Sequence, residues 1–230
     1  MPGTGMCSLS DAILLTDHAV ELGCGGVLML PPFYYKNPSE EGLFRFFAEV
    51  IEEVADEDLK VYLYHIPPIA QVGFSLPLIE RLKKEFPTTV VGLKDSSGDW
   101  NNTKAILEAF PDFEVFPGSE AFLLDALRLG GAGCISATAN VSARAIREVF
   151  DNWQGPNADK IQANVTALRM AIQQYPMIPV LKALLAHYRD DPLWAELRPP
   201  FTELPDAEAE KAIQTLAEVH GFKLNFAEAA

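Results

Sequence analysis

Residues 89–98 read Thr-Val-Val-Gly-Leu-Lys-Asp-Ser-Ser-Gly. The β-branched and apolar residues at the start of this run predict a buried strand over residues 89–93. The serines and the glycine after Asp95 predict the loop that follows the strand. Lys94 therefore stands where a buried strand ends, and the neighbouring segments show what kind of sheet this strand belongs to.

A short apolar run followed by a helical segment recurs along the first two thirds of the chain. The other predicted strands cover residues 27–30, 61–64, 114–116 and 134–137, and the predicted helices cover residues 10–22, 39–55, 76–85, 101–110, 120–129 and 142–153. Alternation of this kind is typical of parallel βα units and predicts an α/β fold. After Gly155 only helices are predicted, over residues 157–174, 178–189 and 206–220, so the expected domains are residues 1–155 and a C-terminal helical region, residues 156–230.

Five predicted strands leave two architectures open. A (β/α)8 barrel usually needs about 250 residues, whereas this chain has 230 and uses part of them for the helical tail. An open doubly wound sheet tolerates five strands. The segment Pro2-Gly3-Thr4-Gly5 looks like the turn after a further strand, so the number of strands does not decide between the two.

The composition excludes several classes of function. The chain has 230 residues, 49% of them hydrophobic and 22% charged, and a formal net charge of -14. Such an acidic protein would repel a phosphate backbone, so nucleic acid is not an expected partner. No apolar run approaches the roughly 18 residues of a membrane span, and we expect a soluble, cytoplasmic protein. Its cysteines, Cys7, Cys24 and Cys134, lack metal-site spacing and are expected to be reduced packing residues.

Lys94 is a candidate nucleophile. Burial disfavours the ammonium form of a lysine and leaves more of the neutral amine, which attacks carbonyl groups. Side-chain alternation puts Gly92 on the same face of the strand, where we expect it to leave room for a small carbonyl compound. The alternative for this run alone is a lysine that extends from the strand end into solvent.

Aromatic residues near two other strand ends are further candidates. Tyr64 ends the strand before that of Lys94, and its phenol could donate and recover protons; a core tyrosine with a satisfied hydroxyl is the alternative. His65 follows it and is expected to be structural. Tyr35 lies in an aromatic loop, residues 31–39, that fits a lip over a binding site or a subunit contact.

The glycine-rich residues 130–133 lack the GxGxxG order of a dinucleotide site.

Together these motifs resemble the dihydrodipicolinate synthase and N-acetylneuraminate lyase family of pyruvate-handling class I aldolases. The matching segments, in the family's order, are Gly3-Thr4-Gly5, residues 32–35 with Pro38-Ser39 and Glu41-Gly42-Leu43, Tyr64 with Pro67, Gly92-Leu93-Lys94-Asp95, Gly118-Ser119-Glu120, Ile135-Ser136 with Asn140, and Leu197-Arg198-Pro199-Pro200. The resemblance implies a (β/α)8 TIM barrel followed by a helical region, with residues 1–155 as a partial barrel.

The resemblance also implies roles for individual residues. Lys94 would form the Schiff base with pyruvate, and Tyr64 would shuttle protons. Tyr35 would reach into the site of a neighbouring subunit, and Gly118 and Ile135 would line the pyruvate pocket. Members of this family need no metal and no organic cofactor, and they are commonly homotetramers or dimers.

The sequence departs from the family's pattern at two places. The family's Thr-Thr-Gly-Glu-like loop has no match and would lie before residue 1, which implies a barrel without its first strands and an N-terminally truncated chain. Synthases of the family carry an arginine five residues after the strand-end tyrosine, where this chain has Ile69. An alkyl side chain cannot replace a guanidinium in binding a carboxylate, which argues against aspartate semialdehyde as the second substrate.

The sequence therefore predicts a lyase that forms or cleaves a carbon-carbon bond next to pyruvate in a 4-hydroxy-2-oxo acid, through an imine on Lys94. One alternative is 4-hydroxy-tetrahydrodipicolinate synthase, which joins pyruvate and aspartate semialdehyde. A second is a non-catalytic barrel remnant that keeps the family's subunit contacts. The expected partners are a 2-oxo acid, an aldehyde and further copies of this chain, with neither nucleic acid nor membrane among them.

Overall fold

The computed structural model describes residues 1–224, apart from the side chains of residues 219 and 220, and divides them into two compact units. The first unit comprises residues 1–118 and 125–134. The second unit comprises residues 119–124 and the described residues from 135 onward. The domain boundary between residues 155 and 156 stays a prediction; the compact units divide the chain earlier than that.

Four parallel strands form the sheet of the first unit. They are β1 Val27–Met29, β2 Val61–His65, β3 Val90–Asp95 and β4 Glu114–Pro117, and they lie in the order β1-β2-β3-β4. Each strand neighbours the next one along the chain, as in a barrel, whereas a doubly wound sheet reverses its order at a switch point. Residues 2–4 extend along the outer edge of β1, where the N–H of Leu28 donates to the carbonyl of Pro2 at 2.8 Å and the N–H of Thr4 donates to the carbonyl of Leu28 at 3.0 Å.

Helices follow the strands and make up most of the second unit. Their bounds are α1 Leu9–Glu21, α2 Glu40–Val54, α3 Pro67–Ala70, α4 Leu76–Glu85, α5 Trp100–Ala109, α6 Leu123–Arg128, α7 Ala139–Asn152, α8 Ala158–Ile172, α9 Met177–Arg189 and α10 Asp206–His220, with 3-10 turns at Glu120–Phe122 and Pro192–Ala195. In the part of the chain that the structure describes, none of these helices is both long and apolar enough to span a bilayer.

Local sequence signals account for many helix ends. The hydroxyl of Ser39 accepts a hydrogen bond from the N–H of Gly42 at 3.1 Å and caps α2. Ser75 caps α4 in the same way, and the carboxylate of Asp99 caps α5. Gly23 takes a left-handed conformation, with φ 66°, two residues after α1 ends. These caps fix where each helix starts relative to the strand before it.

Helix α7 begins three residues before the predicted start at Ser142. Ser142 interrupts the helix with φ -128° and ψ 19°, and its hydroxyl donates to the carbonyl of Thr138 at 2.9 Å. A serine that hydrogen-bonds to a nearby backbone carbonyl competes with the helical pattern. The serine thus marks a kink within the helix and not its first residue.

The predicted fifth strand, residues 134–137, is wrong. Among the described residues this segment forms no strand, and one backbone hydrogen bond, from the N–H of Ala132 to the carbonyl of Val115 at 3.0 Å, joins the glycine-rich run to β4. Gly130 and Gly133 have φ values of 87° and 147°, which interrupt extended pairing. Residues 135–138 belong to the second unit, where Ser136 and Thr138 use their hydroxyls in a polar cluster.

The core of the first unit lies on one face of the sheet. Fully buried residues on this face alternate along the strands, as period-2 alternation predicts. They are Val61 and Leu63 on β2, Leu93 on β3 and Val115 on β4, each with 0% exposure. Helices α2 and α4 cover this face with Phe47, Leu78, Ile79 and Leu82. The second unit has its own core, formed by Val141, Ala171, Ile172, Val180, Leu184, Ala212 and Leu216 among others.

Candidate active site

The face of the sheet opposite the core carries the candidate side chains. Tyr64 on β2 is the register partner of Lys94 on β3, and Lys94 is in turn the register partner of Phe116 on β4. All three stand near the carboxyl ends of their strands, the end at which parallel α/β barrels place their active sites. The strands therefore bring an amine, a phenol and an aromatic ring side by side.

Lys94 and Tyr64 form the contact that defines the site. The ammonium Nζ of Lys94 donates to the hydroxyl of Tyr64 at 3.1 Å, and the same nitrogen lies 4.2 Å from the centroid of the tyrosine ring. Both side chains are half-buried. An amine and a phenol at this distance can exchange a proton directly, which is the geometry that general acid-base chemistry at a carbonyl needs.

The prediction that Gly92 leaves open space beneath the amine is wrong. A Cβ atom at this position would lie 2.5 Å from Cδ1 of Tyr62 and 2.5 Å from the carbonyl oxygen of Glu114. The ring of Tyr62 therefore fills the space, and its other edge meets Gly26, where a Cβ would lie 2.7 Å from Cε2 of Tyr62. A small substrate has to approach Lys94 from the carboxyl ends of the strands and not from beneath.

Tyr62 and Glu114 form a polar pair on this face that the sequence interpretation missed. The hydroxyl of Tyr62 donates to the Glu114 carboxylate at 2.6 Å. Burial, and then the hydrogen bond to Glu114, raise the pKa of Tyr62 to about 12. Period-2 alternation from Lys94 would have placed both residues on its face, but their contact links strands 52 residues apart in sequence. The hydrogen bond to Glu114 holds the Tyr62 ring between Gly92 and Gly26.

Asp95, the residue after Lys94, anchors the end of β3 from the core side. Its carboxylate, only 3% exposed, accepts hydrogen bonds from the N–H of Ser97 at 2.9 Å, the side-chain amide of Asn102 at 3.0 Å and the hydroxyl of Thr103 at 2.6 Å. These three donors lie on the following loop and on α5. A buried carboxylate satisfied in this way makes the backbone beside Lys94 rigid.

The aromatic loop after β1 is exposed. Tyr34 and Tyr35 are 73% and 79% exposed, and their rings contact each other edge to face at 5.1 Å. Lys36 donates to the carbonyl of Ala70 at 3.1 Å and thereby ties this loop to α3. Ile69 on α3 is 76% exposed. The recorded ring contact of Tyr35 is with Tyr34, and within this chain the structure records no contact of Tyr35 with the Lys94–Tyr64 pair.

The two residues predicted to line a pyruvate pocket fall in different units. Gly118 follows β4 and packs against the loop after Lys94: a Cβ atom there would lie 2.1 Å from the hydroxyl of Ser96, and the N–H of Gly118 donates to the carbonyl of Asp95 at 2.6 Å. Ile135 is half-buried in the second unit. The roles of Gly118 and Ile135 in binding pyruvate stay predictions.

The second unit contains a buried ionic cluster that the sequence interpretation did not identify. Glu120, 1% exposed, accepts from Arg169 at 3.2 Å and from the hydroxyl of Ser136 at 2.6 Å, and also from the hydroxyl of Thr138. The amide of Gln162 donates to the Glu120 carbonyl at 2.9 Å. A buried carboxylate is stable only when such partners surround it. Because the partners of Glu120 come from distant parts of the chain, the cluster fixes the start of the second unit in place.

Comparison with known proteins places the chain in a family. Residues 1–219 match the sequence profile of the Dihydrodipicolinate synthetase family. An "Uncharacterized DapA-like lyase" of Chloroflexus aurantiacus is 36% identical over 207 residues, which are 90% of this chain and 69% of that protein. A 4-hydroxy-tetrahydrodipicolinate synthase of Thermus thermophilus is 43% identical over 141 residues, 61% of this chain and 46% of that protein. The chain thus spans about half to two thirds of the length of these curated relatives.

Solved structures agree with this assignment. Dihydrodipicolinate synthase from Agrobacterium tumefaciens matches with a TM-score of 0.84 at 30% identity, over 93% of this chain and 72% of that one. The enzyme from Aquifex aeolicus matches with a TM-score of 0.84 at 26% identity, over 97% of this chain and 75% of that one. These matches confirm the predicted α/β barrel fold, of which the described residues form four strands. The chain belongs to the dihydrodipicolinate synthetase family.

Proposed function

We propose that this chain is a lyase that forms or cleaves a carbon-carbon bond adjacent to pyruvate in a 4-hydroxy-2-oxo acid, through an imine on Lys94. The observation that carries the proposal is the 3.1 Å contact between the amine of Lys94 and the hydroxyl of Tyr64 at neighbouring strand ends. An amine nucleophile beside a proton donor is what imine formation with a ketone needs.

The two side chains divide the chemistry between them. The neutral amine of Lys94 adds to C2 of the 2-oxo acid while Tyr64 protonates the carbonyl oxygen. That oxygen takes a second proton from the amine nitrogen and leaves as water, which gives the protonated imine and a Tyr64 phenolate. The protonated imine then accepts the electrons of the C3–C4 bond as that bond breaks, and the C4 hydroxyl gives its proton to the Tyr64 phenolate and becomes the aldehyde oxygen. Protonation of the resulting enamine at C3 and hydrolysis return pyruvate and the free amine. Condensation runs the same steps in reverse, and neither direction needs a metal or organic cofactor.

Three further residues belong to the proposal. Tyr35 would act from one subunit on the site of its neighbour, which fits its 79% exposure in the single chain. Such a role requires a homo-oligomer, and we propose a dimer or a tetramer. Gly118 and Ile135 would line the pocket that holds pyruvate, with the Gly118 backbone already packed against the loop after Lys94.

The second substrate is proposed from Ile69. This residue is 76% exposed on α3, five residues after Tyr64, and has no charge with which to bind a carboxylate. A 4-hydroxy-2-oxo acid that splits into pyruvate and an uncharged or differently held aldehyde fits this better than aspartate semialdehyde does. The alternative reaction, that of 4-hydroxy-tetrahydrodipicolinate synthase, is favoured by the names of several relatives.

Reductive trapping tests the imine. The protein is incubated with pyruvate and sodium borohydride, and peptide mapping by mass spectrometry locates the adduct. We expect one reduced pyruvate group on Lys94, none on Lys94→Ala or Lys94→Arg, and an unchanged adduct on Lys104→Ala, an exposed lysine on α5. A folded protein that gives no adduct contradicts the proposal and supports the non-catalytic remnant instead.

A substrate panel separates the two reactions. Pyruvate release from a set of 4-hydroxy-2-oxo acids is compared with condensation of pyruvate and aspartate semialdehyde. We expect cleavage of at least one member of the panel and poor use of the semialdehyde. Efficient use of the semialdehyde overturns the inference from Ile69 and identifies the synthase reaction.

A further inference from the structure

His65 is the one titratable side chain adjacent to Tyr64 in sequence, and it lies on the other face of the sheet. It is the last residue of β2 and the register partner of Asp95, so it stands directly behind the Lys94–Tyr64 pair. Its side chain is only 7% exposed. Alternation along β2 turns the imidazole away from Lys94, so His65 is not a base for the proposed reaction.

The imidazole holds the segment that follows β2. Nδ1 of His65 accepts a hydrogen bond from the backbone N–H of Phe74 at 3.0 Å. The backbone packs directly on the ring, because a Cβ atom at Gly73 would lie 2.7 Å from Cε1 of His65. The Phe74 side chain, 5% exposed, continues into the core next to Phe47. Residues 66–74 include α3 and Ile69. The hydrogen bond from Phe74 to the His65 imidazole therefore fastens the end of this segment to the end of β2.

This contact requires a neutral imidazole. A protonated Nδ1 is a donor and would meet the N–H of Phe74, another donor. Burial lowers the pKa of His65 from its usual 6.5, and the carboxylate of Asp95 on β3 acts in the opposite direction. Gly73 and Phe74, the residues of the following segment that contact the ring, are uncharged. The carboxylate of Asp95, on β3, already accepts hydrogen bonds from three other donors. Acid therefore protonates the ring only at the expense of the Phe74 contact.

We propose that His65 is a positioning residue whose neutral imidazole fastens residues 66–74 to the end of β2, so that its protonation releases this segment and disturbs the Lys94–Tyr64 pair. The effect on chemistry rests on the proposed function, whereas the effect on the segment does not. Because the folded protein disfavours the proton, the contact is complete above about pH 6.5 and is lost as the pH falls below that value.

Two variants separate the acceptor from the charge. In His65→Asn the side-chain oxygen takes the place of Nδ1 and accepts from Phe74, but it does not titrate. In His65→Leu the ring's volume is approximately kept and the acceptor is lost. Circular dichroism and urea unfolding at pH 7.5 establish that both variants are folded before any comparison is made.

The first readout is the rate of reductive trapping of pyruvate on Lys94 with cyanoborohydride, measured at a series of pH values. We expect the unsubstituted protein to lose trapping rate at acid pH, His65→Asn to lose less over the same range, and His65→Leu to be slower at pH 7.5 by about tenfold through misplacement of the pair. An acid limb that is the same in His65→Asn and the unsubstituted protein overturns the inference, as does a His65→Leu rate equal to that of the unsubstituted protein.

The second readout is hydrogen exchange at the amide of Phe74, normalised to the intrinsic rate at each pH. We expect protection that falls with acid in the unsubstituted protein, stays constant in His65→Asn and is absent in His65→Leu. If pyruvate forms no adduct at any pH, the proposed function fails, and the exchange data alone decide on His65. Protection that does not change with pH in the unsubstituted protein overturns the positioning role.

Discussion

Removal of the hydroxyl of Tyr64 is the smallest change that tests the proposed chemistry. Tyr64→Phe keeps the ring against the ammonium group of Lys94 and removes the proton donor. We expect turnover of a cleaved 4-hydroxy-2-oxo acid to fall by about 10² to 10⁴, the usual contribution of a positioned acid or base. The free energy of unfolding should change by less than about 1.5 kcal/mol, the net value of a typical hydrogen bond. Single-turnover kinetics and urea titrations measure the two quantities, and unchanged turnover contradicts the role given to Tyr64.

Tyr62, two residues before Tyr64 on β2, makes the stability of the first unit sensitive to alkali. Its pKa of about 12 exceeds the value near 10 of a tyrosine in the unfolded chain, so the folded protein binds this proton more tightly. The stability that follows is complete below pH 10 and is lost as the pH rises from 10 to 12. In Tyr62→Phe the urea midpoint should decline less over that range, while the exposed Tyr34→Phe should follow the unsubstituted protein. Equal declines in Tyr62→Phe and the unsubstituted protein contradict this explanation.

At the scale of the elements, β3 accepts no side chain at Gly92. We expect Gly92→Ala to destabilise the protein by about 1–3 kcal/mol, because the added methyl group overlaps the Tyr62 ring and the Glu114 carbonyl. Gly25 is the matched control, since a Cβ atom there has no neighbour within 4 Å. Urea midpoints measure both, and a Gly92→Ala midpoint equal to that of Gly25→Ala would show that the strands move apart easily.

Elements whose signals are local could be predicted, and elements that depend on distant partners could not. The helix from Leu76 to Glu85 is predicted to the residue, because Ser75 caps it and its apolar residues recur at helical spacing. Residues 134–137 have the composition of a strand, but pairing requires neighbours, and in the described chain the hydrogen bond to β4 comes from Ala132, two residues before this segment. The space at Gly92 was misjudged for the same reason, since Tyr62 on another strand fills it.

At the scale of the whole molecule, the second unit depends on its buried ion pair. In Glu120→Ala the guanidinium of Arg169, 15% exposed, loses its carboxylate, and we expect a loss of about 3–5 kcal/mol. Asp151→Ala removes the partner of Arg147 in an exposed pair and should move the urea midpoint little. Unfolding followed by two probes, one in each unit, shows whether the loss is confined to the second unit. If Glu120→Ala and Asp151→Ala have equal urea midpoints, the buried ion pair stabilises the protein no more than the exposed one, which contradicts this prediction.

The candidate site shows the same limit on prediction. Lys94 and Tyr64 could be identified because each ends an apolar strand, and parallel strands bring their ends together. Glu120 begins a predicted helix, and its partner Arg169 is 49 residues away on α8. No spacing rule connects the two, so their pairing becomes visible only in three dimensions.

The position of the Tyr62 ring between Gly26 and Gly92 also restricts the order in which these residues can change during evolution. A tyrosine can be accepted on β2 only in an ancestor that already has glycine on both sides, and once it is present neither glycine can mutate without harm. Replacing the tyrosine by a small residue would remove the ring's overlap at both positions, but the φ of 155° at Gly26 and the Glu114 carbonyl oxygen, 2.5 Å from a Cβ at Gly92, would remain as constraints. Both positions should therefore stay glycine even in relatives that lack a large residue in place of Tyr62.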